Sequence, residues 1–239
     1  MLQNKLLLYI IIGIALMHLG FQVIGQEDYS NLIRALIVPL LTLLYVFNTT
    51  IKKSVYLLTF LVLYSISELM EFGVEVLSDD ILYFYGNSFY IISYVFLILE
   101  IFYNMNSKSF FKKYVLQIII LIILDIVCVY YLTDVTGFEY SFELLFEFIY
   151  NIVIMFMMSL ALLNFFSRMT HKSMYLFLGV FCLVASEMLK VAYYYIDNQV
   201  IFSNTFSVLF ILGFAFVYHQ SQLKHQEFKF LDQPVKASS

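Results

Sequence analysis

Tryptophan is absent from this chain, and in 239 residues proline and cysteine each occur twice and glycine eight times. So few turn-forming residues leave little material for loops, which favours long elements joined by short connections. Cys128 and Cys182 both fall inside apolar runs and read as small buried residues, not as a disulfide or a metal site. Charge is also scarce: 13% of residues are charged against 62% hydrophobic. A soluble domain of this size needs far more charged surface, so the chain is read as an integral membrane protein. No soluble catalytic or nucleic-acid-binding domain fits in the remainder. Walker loop, HExxH, Ser-His-Asp order and paired-cysteine motifs are missing too. Neither a cofactor nor a metal nor a nucleic-acid partner is expected, and the bilayer with its lipids is the environment to reason about.

What the chain has instead is long apolar runs. Eight stand out, at 5–24, 32–48, 54–76, 84–104, 113–132, 143–166, 173–195 and 201–219. Each is continuous over about 18 to 23 residues, the length that spans as a helix, whereas barrel strands alternate apolar and polar residues. The fold class is therefore all-α. Residues 1–219 form a single integral membrane domain, and Gln220–Ser239 reads as a short polar cytosolic tail. The first run resembles a secretory signal core, but it is too long and no small-x-small site follows it in GFQVIGQED.

Basic residues set the expected orientation. With the N-terminus inside, the inner side receives Lys5, Lys52, Lys53, Lys108, Lys112, Lys113, Arg168, Lys172, Lys224, Lys229 and Lys236, and the outer side only Arg34 and Lys190. The positive-inside rule then places both termini in the cytoplasm, in a multi-pass protein of the cytoplasmic (inner) membrane. The outer loops hold Glu27, Asp28, Glu75, Asp79, Asp80, Asp134, Glu139 and Asp197. Tyrosine takes over the interfacial belt, with Tyr83, Tyr85, Tyr130, Tyr131, Tyr140 and Tyr193 to Tyr195 near outer ends and Tyr56, Tyr103 and Tyr175 near inner ends.

Two segments 119 residues apart nearly repeat: KSVYLLTFLVLYSISELMEF from Lys53 and KSMYLFLGVFCLVASEMLKV from Lys172. Apolar matches carry little weight in such a chain. Lys53/Lys172, Ser54/Ser173, Tyr56/Tyr175, Ser67/Ser186 and Glu68/Glu187 carry more, because polar residues are rare in these runs. Asn87-x-Phe89 and Asn204-x-Phe206 extend the match. The expected architecture is two parallel four-helix repeats, about 5–104 and 113–219, since a unit with an even number of helices keeps its orientation.

At 1.5 Å per residue, Glu68 lies roughly 21 Å beyond Ser54, in the outer half of a core about 30 Å thick. Glu187 reaches the same level beyond Ser173. His18, Asp125 and Asn151 fall near that layer, so together with Ser67 and Ser186 they are candidate pocket residues. His18 and Asn151 also fit interhelical hydrogen bonds, and Asp125 fits a structural partner of His18. Glu100, Glu143 and Glu147 lie near helix ends and read as interfacial. Glu71 and Lys190 occupy equivalent positions with opposite charge, which suits an ion pair between the halves. Glu68 and Glu187 are the catalytic candidates, because a carboxylate at that depth costs a few kcal/mol and packing alone does not account for two.

Two carboxyls in a partly dry pocket can perform general acid–base hydrolysis of an acetal or of the related vinyl ether. The residues also resemble a known pattern. The second run carries Val38-Pro39 before LLTLLYVF, the third Ser67-Glu68, the fourth Gly86, Phe89 and Ser93, and the seventh Ser186-Glu187. This resembles the YhhN and lysoplasmalogenase family of eight-helix membrane proteins, whose pattern has Lys-Pro, Gly-Asp, Gly and Phe with a following His, and Ser-Asp at these places. The resemblance implies hydrolysis of the vinyl ether of a lysolipid, with Glu68 and Glu187 standing for the two Asp. Val38 replaces the family Lys and Ser93 the His. A proton-coupled carrier, or a non-catalytic membrane domain, would use the same buried glutamates. Pro39 is the one proline within a run, and no Gly/Pro interruption of the kind that marks a carrier is expected.

Overall fold

The computed structural model describes residues 2–48, 53–74, 77–105, 114–136 and 142–223. Lys52, Lys108, Lys112, Lys113, Lys224, Lys229, Lys236, Glu75, Glu139, Tyr140 and the tail beyond Leu223 lie outside them. The described elements are helical: α1 (Leu2–Ile24), α2 (Glu27–Arg34), α3 (Ile37–Phe47), α4 (Val55–Leu69), α5 (Asp79–Asn104), α6 (Val115–Val135), α7 (Phe142–Arg168), α8 (His171–Tyr195) and α9 (Val200–Gln222). They make eight helical segments long and apolar enough to cross a membrane, with α2 and α3 sharing one. The all-α reading and the eight runs hold, and most boundaries fall within a few residues of expectation.

Local chemistry explains where the helices stop. Gly25 ends α1 in the left-handed conformation (φ 79°). Its N–H reaches the Gln22 carbonyl at 3.1 Å and the Gln26 N–H the Phe21 carbonyl at 3.0 Å, a Schellman pair that satisfies the last carbonyls. Thr170 and Ser173 form a capping box that starts α8. Gln220, assigned to the tail, instead belongs to α9 and is fully buried.

The second run departs most from expectation. It begins at Glu27 and breaks at Ala35–Leu36 into α2 and α3. Pro39 explains the break: it has no N–H to donate, and its ring presses on the carbonyl four residues earlier, that of Ala35. The turn tightens, and the Leu36 N–H bonds the Ile33 carbonyl at 3.2 Å. A Pro-linked interruption was not expected from the sequence. Arg34, counted among the outer-side cations from the sequence, closes α2 and is buried, with 9% exposure.

The most extensive pairings are α4 with α5 and α8 with α9. They pack differently. Gly179 and Gly213 bring α8 and α9 together at backbone distance: a Cβ on Gly179 would stand 3.1 Å from the Gly213 carbonyl, and one on Gly213 3.1 Å from the Leu183 nitrogen. Around α4 the space is filled by rings. Phe60, Tyr64, Tyr94, Phe210 and Phe214 are all buried, with Tyr64 and Phe214 centroids 4.8 Å apart. This aromatic layer is the middle of the core. Helix α6 is peripheral: it packs mainly on α7 and leaves Ile119, Ile120, Ile122 and Ile123 exposed.

Candidate functional site

Glu68 and Glu187 reach one cluster of tyrosines. Tyr90 and Tyr94 are one turn apart on α5, so both hydroxyls leave the same face. The Tyr90 hydroxyl donates to Glu68 Oε1 at 2.6 Å, and that of Tyr94 to Glu187 Oε1 at 3.5 Å, a long contact. Tyr64 of α4 lies between them, with ring centroids 4.7 Å from Tyr90 and 5.8 Å from Tyr94. Tyr150 of α7 closes the far side, 6.1 Å from Tyr94 and beside Glu187.

The two carboxylates have unlike partners. Arg34 Nε faces Glu68 Oε2 at 3.4 Å, and both side chains are nearly dry at 11% and 2% exposure. The Arg34 guanidinium also sits 5.6 Å over the Phe210 ring, a cation–π contact that holds it against α9. The helix break delivers this cation, since it ends α2 at Arg34 with the side chain turned inward. Glu187 has no cation within 4 Å among the described residues. Its partners are hydroxyls.

Ser67 and Ser186, the residues before the glutamates, make matching contacts. The Ser67 hydroxyl donates to the Gly86 carbonyl at 2.7 Å and that of Ser186 to the Phe206 carbonyl at 2.8 Å, each pinning its helix to the next. They hold the glutamate-bearing turns in place and do not touch the carboxylates.

The remaining candidates divide. His18 is fully buried, with Nδ1 2.8 Å from the Ser30 hydroxyl and 3.0 Å from the Ser30 carbonyl. Ser30 donates onward to Gln22 at 2.6 Å, and Gln22 to Ser203, so this polar chain joins α1, α2 and α9. His18 Nε2 has no hydrogen-bond partner, and the ring lies within electrostatic reach of Arg34 and Glu68, at the edge of the site. Asp125 is elsewhere. It accepts from Ser159 at 2.8 Å and lines an apolar groove of about 490 Å³ between α6 and α7, so it pairs with Ser159 and not with His18. Asn151 donates to Thr133 at 3.1 Å, an interhelical bond between α7 and α6. Glu71 and Lys190 line one cavity of about 140 Å³ with Arg34, Asn87 and Tyr90. The ion pair of this layer is Arg34–Glu68, whereas Glu71 lies within reach of Arg34 and Lys190 within reach of Glu147.

Val38 is fully buried core, and Ser93 turns its hydroxyl back to the Tyr90 carbonyl at 2.7 Å. Tyr64, Tyr90, Tyr94 and Tyr150 escaped the sequence reading, and Arg34 was counted there only as an outer-side cation. A usable signal existed. Interfacial tyrosines lie at span ends, and these four lie well inside their helices.

Fold and site together define a multi-pass helical membrane protein with a buried charged layer. Comparison with protein-family models, with curated proteins and with solved structures gives no match to this chain.

Proposed function

We propose that the Glu68–Glu187 layer is the acid–base centre of a lysoplasmalogenase-like membrane hydrolase that cleaves the vinyl ether of a lysolipid. One observation carries the reading: two carboxylates from different helices flank a single cluster of tyrosines. The matched Ser67 and Ser186 contacts support a chain built as two parallel four-helix repeats. The grouping of Lys53, Arg168 and Lys172 around one cavity supports a cytoplasmic end there, with both termini inside the cytoplasmic membrane.

The unlike partners suggest unlike roles. Arg34 balances the charge of Glu68, which suits Glu68 to act as the base. Glu187, with hydroxyl partners alone, suits the acid. Protonation of the vinyl carbon by Glu187 forms an oxocarbenium ion. Water adds to it as Glu68 takes a proton, and the resulting hemiacetal collapses to an aldehyde and an alcohol. Arg34 lies four residues before Val38 and restores a cation near the place of the family Lys. A cavity of about 140 Å³ lined by Arg34 and Tyr90, the partners of Glu68, lies beside the layer, and the reading needs the reacting end of the lipid to pass from it to the glutamates.

A second reading, a proton-coupled carrier, draws on the helix break at Arg34, since interrupted helices line carrier sites. The test is aldehyde release from lysoplasmalogen by the purified protein in detergent. The hydrolase reading expects release from the parent and at least about a hundredfold less from both Glu68→Gln and Glu187→Gln. Unchanged release from both variants would remove their roles. No turnover of any ether lysolipid, together with uptake driven by a pH gradient in liposomes, would transfer the layer to the carrier.

A further inference from the structure

At the opposite end of α4 from Glu68, a larger cavity of about 760 Å³ opens between α4, α5 and the α7–α8 turn. Glu68 is fourteen residues from Ser54, so roughly 21 Å separate this cavity from the glutamate layer, with the aromatic core between. Its described lining carries three cations, Lys53, Arg168 and Lys172, against one carboxylate, Glu100. That carboxylate is already engaged. Glu100 is 3% exposed, accepts the Ser54 hydroxyl on one oxygen and takes Asn104 Nδ2 at 2.8 Å on the other. No ion pair within 4 Å neutralises the three cations among the described residues.

Two of the cations are forced together. Arg168 ends α7, Lys172 lies in the first turn of α8, and Met169 between them takes a left-handed φ of 42°. That conformation is uncommon for a residue with a side chain, and it persists where the surroundings hold it. Lys172 lies within electrostatic reach of Glu100 and of Arg168, so one carboxylate faces three cations, and Arg168 Nε is buried with no hydrogen-bond partner. The Lys53 ammonium gives one proton to the Val46 carbonyl and keeps two donors. Like charges held close around a cavity, with a buried donor unused, are what an anion would stabilise. Tyr103 and Val55, 76% and 74% exposed, add apolar surface to the lining of the cavity.

We propose that this cavity is a binding site for a phosphate group, carried on the head of a membrane lipid. Arg168 and Lys172 clasp the phosphate, Lys53 closes it from α4, and the lipid tails leave past Val55 and Tyr103. Such basic pockets between spans are suited to anionic headgroups. The site is separate from the glutamate layer and stands whether or not that layer is catalytic.

The test is binding to the purified full-length protein in neutral detergent, followed as a ligand-dependent rise in melting temperature. The probes are dioctanoyl phosphatidic acid, dioctanoylglycerol, which lacks the phosphate, and inorganic phosphate. Saturable stabilisation by the phosphatidic acid is expected, with none from dioctanoylglycerol. Arg168→Gln and Lys172→Gln should each weaken it about tenfold. Lys172→Arg should restore it and Lys5→Gln, with the same change in net charge, should leave it intact. Equal stabilisation by inorganic phosphate, lost in the same two variants, keeps the phosphate site and makes its source soluble. Stabilisation by dioctanoylglycerol to the same extent, or unchanged binding in a folded Arg168→Gln/Lys172→Gln double variant, would overturn the proposal.

Discussion

Helices α4 and α8 share a Lys-Ser-x-Tyr stretch at their starts and place the same Ser-Glu pair at the same step from it, yet they are packed by opposite means. Where α4 has Phe60 and Tyr64, α8 has Gly179 and Leu183 at the matching positions. The rings make α4 one wall of an aromatic core, with Phe60 stacked 6.0 Å from Phe214. The glycine lets α9 approach α8 to backbone distance. The starts differ as well. Ser173 completes the capping box of α8, whereas Ser54 gives its hydroxyl to Glu100 and leaves α4 without a side-chain cap. The glutamates inherit the contrast: Glu68 is clamped by Arg34, and Glu187 rests against Tyr94 and, beside it, Tyr150. Similar sequence sets what a helix offers at each depth, and the neighbours decide what is done with it.

The largest effect that can break this comparison is removal of the cation from one side. Arg34→Gln leaves Glu68 buried without its charge partner and should destabilise the protein by about 3 kcal/mol or more, read as unfolding in detergent. Adding Glu68→Gln should recover most of that loss. If the double variant is no more stable than the single, the pair does not hold the two spans together. Glu187→Gln, tested in the same way, should be far milder.

The packing contrast comes next. Gly213→Val puts a side chain against Leu183 and should cost about 1 to 3 kcal/mol, with a lowered melting temperature. Phe60→Leu, a loss of ring contacts in the other pair, should be tolerated with an intact α8–α9 interface, monitored by cross-linking between those helices. The smallest effect sharpens the likeness. Ser67→Ala and Ser186→Ala should each cost about 0.6 kcal/mol, the usual worth of an interhelical hydrogen bond in a membrane protein. A several-fold difference between them would mean that the matching contacts are not equivalent.

Much of this was legible in the residues because membrane helices obey few rules. Continuous apolar runs located the spans, and counting along α4 and α8 put Glu68 and Glu187 at one level. The same counting did not separate Asp125 from the glutamate layer, whereas Asn151 makes the interhelical hydrogen bond that it also fitted. Depth is only one of two coordinates of a side chain in a bundle, and the angle around the helix depends on which neighbours pack against it. Asp125 sits at a comparable count along α6 but faces Ser159, away from the glutamates. The burial of Arg34 was missed for a related reason. Its run was drawn from residue 32, with Glu27 and Asp28 in an outer loop, so the arginine read as an outer-end residue with no partner in the core. The kink from Pro39 at Ala35–Leu36 is what turns a charged end of a helix into a buried one.

The amino-acid sequence by itself determined the helical class and the eight long apolar segments, because hydrophobic length and a fixed rise per residue leave little choice in a bilayer. Only the tertiary structure decided that Glu68 meets Arg34, that four mid-span tyrosines join the two glutamates, and that Lys53, Arg168 and Lys172 share a cavity. Those meetings join residues far apart in the chain, and the angle at which each helix faces its neighbours is set by packing against all of them at once.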